Sequence, residues 1–508
     1  MVRFLARRLA LAVGILLALS ALMYFMLDLA MDPLDDLRTS TSPAKAQQIQ
    51  MRISALGLDL PWYQRYWGWL RHFVTGDFGL AWRTQQTVNH LLPGAIATSV
   101  QLVFAATMLA IVLGVVVGVV SALRQYTTFD YSITFVSFVL YALPVFWVAV
   151  LLKQFLAIGL NDYLNAPTVN WLFVGILSIV SGLFWAGALG GDIRRKLVTF
   201  ASATAVTVAV LAYLFGSNWL RYPQIGIVGV GILGLAWAIA VTMVFAGLAN
   251  RRALYSALTT AVVGIVSYWA VQWLWVYVPA DWGQTFLLLA VAIGCGALIG
   301  WLFGGPDRGI SMRGGALVAL GMALLTFVDR VMQGWRLYSD SNVIKGRPIA
   351  TIGSETPGLG GDFWIQNLDK FTHLMLPTIA LVLISFASYT RYQRGSMLEV
   401  FNQDYIRTAR AKGLNERLVI VRHALRNALL PLASVVPVDI IGLIGGAVIT
   451  ETIFGWSGMG KMFVDSLRAS EPDPVMAYVM ITGALAMVAN LVADFLYALL
   501  DPRIRVNA

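Results

Sequence analysis

Asp404-Tyr405-Ile406-Arg407-Thr408-Ala409-Arg410-Ala411-Lys412-Gly413-Leu414-Asn415-Glu416-Arg417 runs on as Leu418-Val419-Ile420-Val421-Arg422-His423-Ala424-Leu425-Arg426-Asn427, between the apolar blocks 374–390 and 430–450. Gly413 relieves the backbone where a first helix must end, so two short helices are expected around it. In the second, Leu414, Leu418, Val421 and Leu425 recur at spacings of four, three and four, which leaves Arg417, Arg422 and Arg426 for water or another protein. A helix lying on a membrane has the same pattern. The residues therefore establish an amphipathic element and leave its partner open.

The 508-residue chain as a whole is 58% apolar and 12% charged, against about 25% charged for an ordinary soluble domain. Its apolar residues fall into twelve blocks, at 9–31, 97–122, 133–158, 169–190, 197–216, 224–248, 255–278, 285–304, 315–334, 374–390, 430–450 and 476–500. A helix of about 20 residues crosses the hydrocarbon layer, so the fold class is an all-α polytopic membrane protein with about twelve spans. With the amino end inside, the inside loops hold 21 Lys/Arg in 87 residues and the outside loops 13 in 152. That bias, with an even number of spans, predicts both termini in the cytoplasm and 391–429 facing it. The first apolar stretch continues to Met31 and lacks a convincing small-residue cleavage site, so it reads as an uncleaved helix.

The net charge of +10 is explained by Lys and Arg retaining short loops, so membrane lipid, not nucleic acid, is the expected partner. A lone Cys295 makes no internal disulfide, and His72, His90, His373 and His423 are too scattered to suggest a metal cluster. Two outside segments are long. In 32–96, the Trp62, Tyr63, Tyr66, Trp67, Trp69 and Leu70 run predicts a short interfacial helix, either plugging the rim of the bundle or touching a partner. In 335–373, glycine and proline predict an extended loop. Residues 159–373 hold eleven of the seventeen tryptophans. Asp329 and Arg330, adjacent at membrane depth, are expected to form a structural pair or to sit at the interface. Gly114 and Gly118 have small-three-small spacing suited to close helix packing, and Gln101, Thr107, Ser132, Ser137 and Tyr141 are polar candidates for a pathway.

The 404–427 stretch resembles the cytoplasmic-loop signature of the permease subunits of ATP-binding cassette (ABC) importers, in the bacterial dipeptide, oligopeptide and nickel branch. That signature has the general form Glu-Ala-Ala, three residues, Gly, presented here as Arg407-Thr408-Ala409, Arg410-Ala411-Lys412, Gly413. Arg407 and Thr408 depart from the broad consensus in ways ordinary for the peptide branch. The opening Phe4-Leu5-Ala6-Arg7-Arg8-Leu9 is similar to the branch, as are Gly57-Leu58-Asp59-Leu60-Pro61, Gly76-Asp77-Phe78-Gly79 and Pro144-Val145-Phe146-Trp147. So are Glu451-Thr452-Ile453-Phe454-Gly455-Trp456-Ser457-Gly458-Met459-Gly460 and the closing Leu500-Asp501-Pro502-Arg503-Ile504-Arg505. The resemblance covers about 1–158 and 371–508. It implies a permease core whose amino-terminal half, 1–158, carries external segment 32–96, and whose carboxyl-terminal half is 374–508. Residues 159–373 are then an inserted membrane region of six extra spans with an external loop.

The resemblance further implies a transport subunit of the bacterial inner membrane that moves di- or oligopeptides inward and is not itself an enzyme. Expected partners are a second homologous permease, two ATPase subunits or domains and an external substrate-binding protein. No cofactor or metal is expected in this chain; ATP and magnesium belong on the ATPases. Asp404, Arg407, Thr408, Ala409, Arg410, Ala411, Lys412, Gly413, Glu416 and Arg417 would form the ATPase-coupling contact, and Glu451, Gly455, Trp456, Gly458 and Gly460 an outer-gate loop. Gly455 through Lys461 also satisfies the Gly, four residues, Gly-Lys part of a phosphate-binding loop, but Met462 lacks the hydroxyl that ligates magnesium. The competing expectations are an ion-gradient-driven secondary transporter, for which related halves and a midplane ionic site are expected, and an ABC permease for nickel or another small solute.

Overall fold

The computed structural model describes residues 2–39, 41, 43–305 and 308–500, without the side chains of 2–6, 417, 434, 441, 444–446 and 492–500. Among the described residues twelve helices are long and apolar enough to cross a membrane, and they overlap the twelve apolar blocks one for one. The first two crossings are α1 (Val2–Ala30) and, after the amphipathic α2 (Trp62–Val74), α3 (Val88–Leu123). The expected interfacial helix is α2. Its Tyr66 and Trp69 are buried against Tyr24 and Leu27 of α1, and the hydroxyls of Tyr66 and Ser20 lie 2.9 Å apart. A two-residue ribbon, Leu80–Ala81 with Gln86–Thr87, is the one sheet among the described residues.

The block at 133–158 does not form one straight span. It is divided between α4 (Thr128–Ala142) and α5 (Val145–Asn165), the latter holding a π-helical turn at Lys153–Ile158. Pro144 lacks an amide hydrogen and pushes Leu143 into the extended region at ψ 127°, which ends α4.

Next come α6 (Trp171–Leu189), α7 (Ile193–Gly216), α8 (Gly226–Phe245), α9 (Arg251–Tyr277), α10 (Trp282–Phe303) and α11 (Arg308–Gln333). α6 and α7 pair as a hairpin; α8, α9 and α11 bury Val230, Ala261, Tyr268 and Met322 together. The group meets the remaining helices through aromatic rings, with Trp275 and Trp364 centroids 5.0 Å apart and Trp282 and Phe363 5.4 Å apart.

The final helices are α12 (Phe363–Phe401), α13 (Asp404–Ala411), α14 (Glu416–Leu418, the π-turn Val419–Ala424 and Leu425–Ala428), α15 (Leu430–Gly446), α16 (Val448–Phe454), α17 (Met459–Arg468) and α18 (Pro472–Leu500). The 335–373 segment is extended only in part. Asp362 accepts the Ile365 amide at 3.0 Å, so α12 starts eleven residues ahead of its apolar block and also runs on to Phe401.

α3 and α12 cross closely where glycine permits it. A Cβ on Gly114 would stand 2.7 Å from Tyr389 Cβ, and one on Gly118 2.9 Å from the Thr390 carbonyl. The small-three-small spacing is therefore a helix contact. Of the pathway candidates, Thr107 on α3 and Ser137 on α4 are buried, and Gln101 and Tyr141 are exposed.

The two ends of α3 mark the two faces of the bundle. Near its start lie the described residues of 32–96, with 335–362 and 451–473, joined by the Leu80 amide on Asp473 at 3.0 Å, the Thr98 hydroxyl on the Ser457 carbonyl at 2.6 Å and the Gly353 amide on the Phe454 carbonyl at 2.8 Å. Near its finish lie 124–130 and 391–428.

Candidate functional site

Local chemistry shapes the 404–428 element. Lys412 closes α13 and Gly413 follows at φ +72°, in the left-handed region glycine tolerates. The Gly413 amide donates to the Arg410 carbonyl at 2.9 Å and the Leu414 amide reaches back to Ala409 at 3.4 Å, a paired closure that uses the last carbonyls of the helix. Ile406 and Ala409 are buried with Met397 of α12 and Ala122 of α3. Asp404, Arg407, Thr408, Arg410, Ala411, Lys412, Gly413 and Glu416 are exposed. Of the ten residues singled out here, Ala409 thus holds the element down from beneath, and the Arg417 side chain lies outside the described residues.

Arg410 clasps Glu416 across the Gly413 turn, with nitrogen to oxygen distances of 2.6 and 3.1 Å. The guanidinium holds the Glu416 carboxyl below the usual carboxylate range, and the carboxylate in turn pushes Arg410 up. Both side chains are exposed, so the pair orients the turn more than it stabilises it.

The second helix corrects the periodicity argument. Leu418 and Val421 are exposed, and Val419, Ala424 and Ala428 are buried instead. The cause is the π-turn over Val419–Ala424, whose backbone bonds span five residues and not four, which rotates the inward face off the 3.6-residue pattern. Arg422 and Arg426 remain outward, as expected.

Next to this element, Asp130 at the start of α4 receives Arg394 of α12 in a two-pronged contact, Nε to Oδ1 at 2.6 Å and Nη2 to Oδ2 at 2.7 Å. The Ser121 hydroxyl donates to the same carboxylate at 2.5 Å and the Tyr126 amide at 3.1 Å. No sequence motif points to this contact, which joins residues 264 positions apart.

At the opposite face, the 451–461 turn is built around one acid. Glu451 is fully buried and accepts the Ser99 hydroxyl at 2.5 Å, the Gly460 amide at 2.7 Å and the Lys461 amide at 3.1 Å. A Cβ on Gly458 would lie 2.4 Å from that carboxylate, and one on Gly460 2.5 Å from Val448 Cα. Gly455 sits at φ +61° against Ile352. Trp456 is buried, and its indole N–H donates to the Thr98 carbonyl at 3.0 Å. The Gly460 and Lys461 amides, of the kind a phosphate-binding loop aims at its ligand, are here spent on the chain's own carboxylate.

Asp329 and Arg330 do not pair. Asp329, fully buried, takes the Ile225 and Gly226 amides at 2.9 and 2.7 Å, the Tyr268 hydroxyl at 2.5 Å and the Gln333 amide at 3.0 Å, so it caps α8. Arg330 leans over Trp364 and reaches Gln333. Neighbours on a helix point about 100° apart and cannot face one another. Among the described residues no group of three His, Cys, Asp or Glu side chains is placed to hold a metal ion.

Residues 110–506 match the family described as "Binding-protein-dependent transport system inner membrane component", and residues 1–87 match its N-terminal counterpart. The chain belongs to this family. It is a multi-pass inner-membrane protein of a transport family, and its named relatives are permeases. The Mycobacterium tuberculosis H37Rv oligopeptide transport system permease protein OppB is 44% identical over 155 residues, 30% of this chain and 48% of the relative. The Bacillus subtilis oligopeptide permease AppB is 50% identical over 136 residues, 27% of this chain and 43% of the relative. The Escherichia coli K12 dipeptide permease DppB is 42% identical over 166 residues, 33% and 47% respectively. The chain thus spans about half the length of these curated relatives.

Proposed function

We propose that this chain is the transmembrane permease subunit of an ATP-driven importer that carries di- or oligopeptides into the cytoplasm. The observation that carries the reading is the 404–416 face, exposed and charged above, and anchored below by Ile406 and Ala409 on the ends of α3 and α12. A surface so placed gives a separate ATPase something to push, and its displacement would bias the spans between two arrangements. Asp404, Arg407, Arg410, Lys412 and Glu416 would dock; they would not catalyse. The family membership and the names of the relatives support the transport class and, by likeness, peptides as cargo.

In this reading both termini and 391–429 face the cytoplasm, and two ATPases hold ATP and magnesium while this chain holds no cofactor. A second permease completes the pathway, and a substrate-binding protein delivers cargo at the opposite face. The Glu451 turn would serve as the outer gate. Residues 1–158 and 374–508 would form the family core, with 159–373 inserted. The test is copurification from native membranes followed by reconstituted uptake of labelled peptides with binding protein and ATPases. ATP-dependent peptide uptake is expected. Uptake driven by an ion gradient without ATPase, or of nickel and not peptide, would replace the proposal. Labelling of Lys412→Cys by an impermeant maleimide in intact cells would overturn the topology.

A further inference from the structure

We propose that Asp130 and Arg394 form the joint through which the 404–428 element moves α4 and, with it, the α6–α7 hairpin of the 159–373 region, so that this hairpin is a moving part and not a static belt. The inference rests on the ATPase-coupled reading above and extends it to residues outside the signature.

Four observations carry it. The first is the strength of the joint. Arg394 approaches the carboxylate with two parallel bonds, the Asp130 side chain is 2% exposed, and Ser121 and Tyr126 occupy the remaining acceptor positions. A fork of this kind fixes orientation as well as distance, which the single ammonium of lysine does not.

The second is its position. Arg394 lies one turn before Met397, which is fully buried in the same cluster as Ile406, Ala409 and Val419. A push on α13 therefore reaches Arg394 through one turn of continuous helix. Arg391, one turn earlier, places its guanidinium over the Tyr141 ring at 4.1 Å, so α12 grips α4 at both ends.

Third, α4 is seated against the middle helices at the same face. A Cβ on Gly187 of α6 would stand 2.8 Å from Thr128 Cγ2, the Phe129 and Phe184 rings lie 6.4 Å apart, and Arg124, in the turn that leads into α4, donates to the Ala188 carbonyl at 2.5 Å. Finally, α4 ends at the Leu143-Pro144 break, so its fifteen residues can turn without dragging α5 along as one rod. Ion pair, packed glycine and helix break together make a continuous path with a free end, which is the physical requirement for transmitting a displacement.

The experiment compares the native complex with Asp130→Asn, which keeps shape and removes charge, and Arg394→Lys, which keeps charge and removes the fork. In a Cys295→Ser background, spin labels at Gln403→Cys, the exposed residue that leads into α13 and lies outside the ten coupling residues, and Asp192→Cys at the exposed start of α7 report their separation in nucleotide-free and ATP-trapped complexes. The expected result is one separation held through both states in the native complex, and a change on trapping in either variant. Peptide uptake per ATP hydrolysed should fall about tenfold at equal yield of assembled complex. If Asp130→Asn does not assemble, Arg394→Lys decides. A native separation that changes as much as the variant one, or variants that couple normally, would overturn the joint. A native complex without ATP-driven uptake would instead overturn the functional reading.

Discussion

Glu451 and Ser99 stand 352 positions apart in sequence and 2.5 Å apart in space, both sealed from solvent. This bond and the two amide bonds beside it tie the 451–461 turn to α3. Glu451→Gln leaves one accepting oxygen where there were two, so it can serve either the Gly460 and Lys461 amides or the Ser99 hydroxyl but not both, and leaving one buried donor unmet costs about 1–3 kcal/mol. The Glu451→Gln protein should unfold at lower temperature in detergent, followed by tryptophan fluorescence, while still inserting into membranes.

Glycine substitutions on α3 should divide sharply. Gly118→Ala places a methyl group against the Thr390 carbonyl and Gln393, whereas Gly94→Ala meets open space. Overpacking of this kind costs about 1–3 kcal/mol, and Gly to Ala at a permissive helical site gains about 0.5–1 kcal/mol. Thermal stability of the two purified variants should move in opposite directions.

Gly413→Ala acts by backbone conformation alone, because nothing lies within 4 Å of the added carbon while φ is +72°. A local cost of about 1–2 kcal/mol follows. Yield and global melting should change little, but ATP hydrolysis by the assembled complex should become less tightly tied to uptake. Gly413→Pro also removes the amide bonded to Arg410 and should uncouple more completely.

Asp329→Ala removes the acceptor for the Ile225 and Gly226 amides and for Tyr268. Hydrogen exchange should rise at the start of α8 first. Protection in α3 and α12 should be unaffected.

The Arg410–Glu416 contact has a defined pH response. The Glu416 carboxyl is depressed, so its contribution is fully present above the unfolded carboxylate value and is lost as pH falls through the folded one. A spin label at Thr408→Cys should report the same mobility from about pH 8 down to about pH 5, and loosen only in stronger acid.

What the sequence discloses here follows from the range of each interaction. The twelve apolar blocks are legible because the hydrocarbon layer imposes length, and the Gly413 break because a left-handed residue favours glycine. Leu418 and Val421 mislead because a π-turn leaves no mark on a 3.6-residue pattern. Adjacency suggests pairing Asp329 with Arg330, although helix geometry sends them to different neighbours. Ser99 with Glu451 and Asp130 with Arg394 are invisible in one chain, since only the packed bundle brings them together.

α12 is 39 residues long, about 58 Å end to end, yet its apolar stretch is only 374–390, about 26 Å. Eleven residues overhang each side, Phe363 to His373 and Arg391 to Phe401. Held rigid through Pro377, such a beam would act as a see-saw balanced in the bilayer. Tilting it by about 10° around its midpoint sweeps each tip through about 5 Å, close to one helical pitch, so a modest rocking felt by Met397 is felt equally, in the opposite sense, by Trp364.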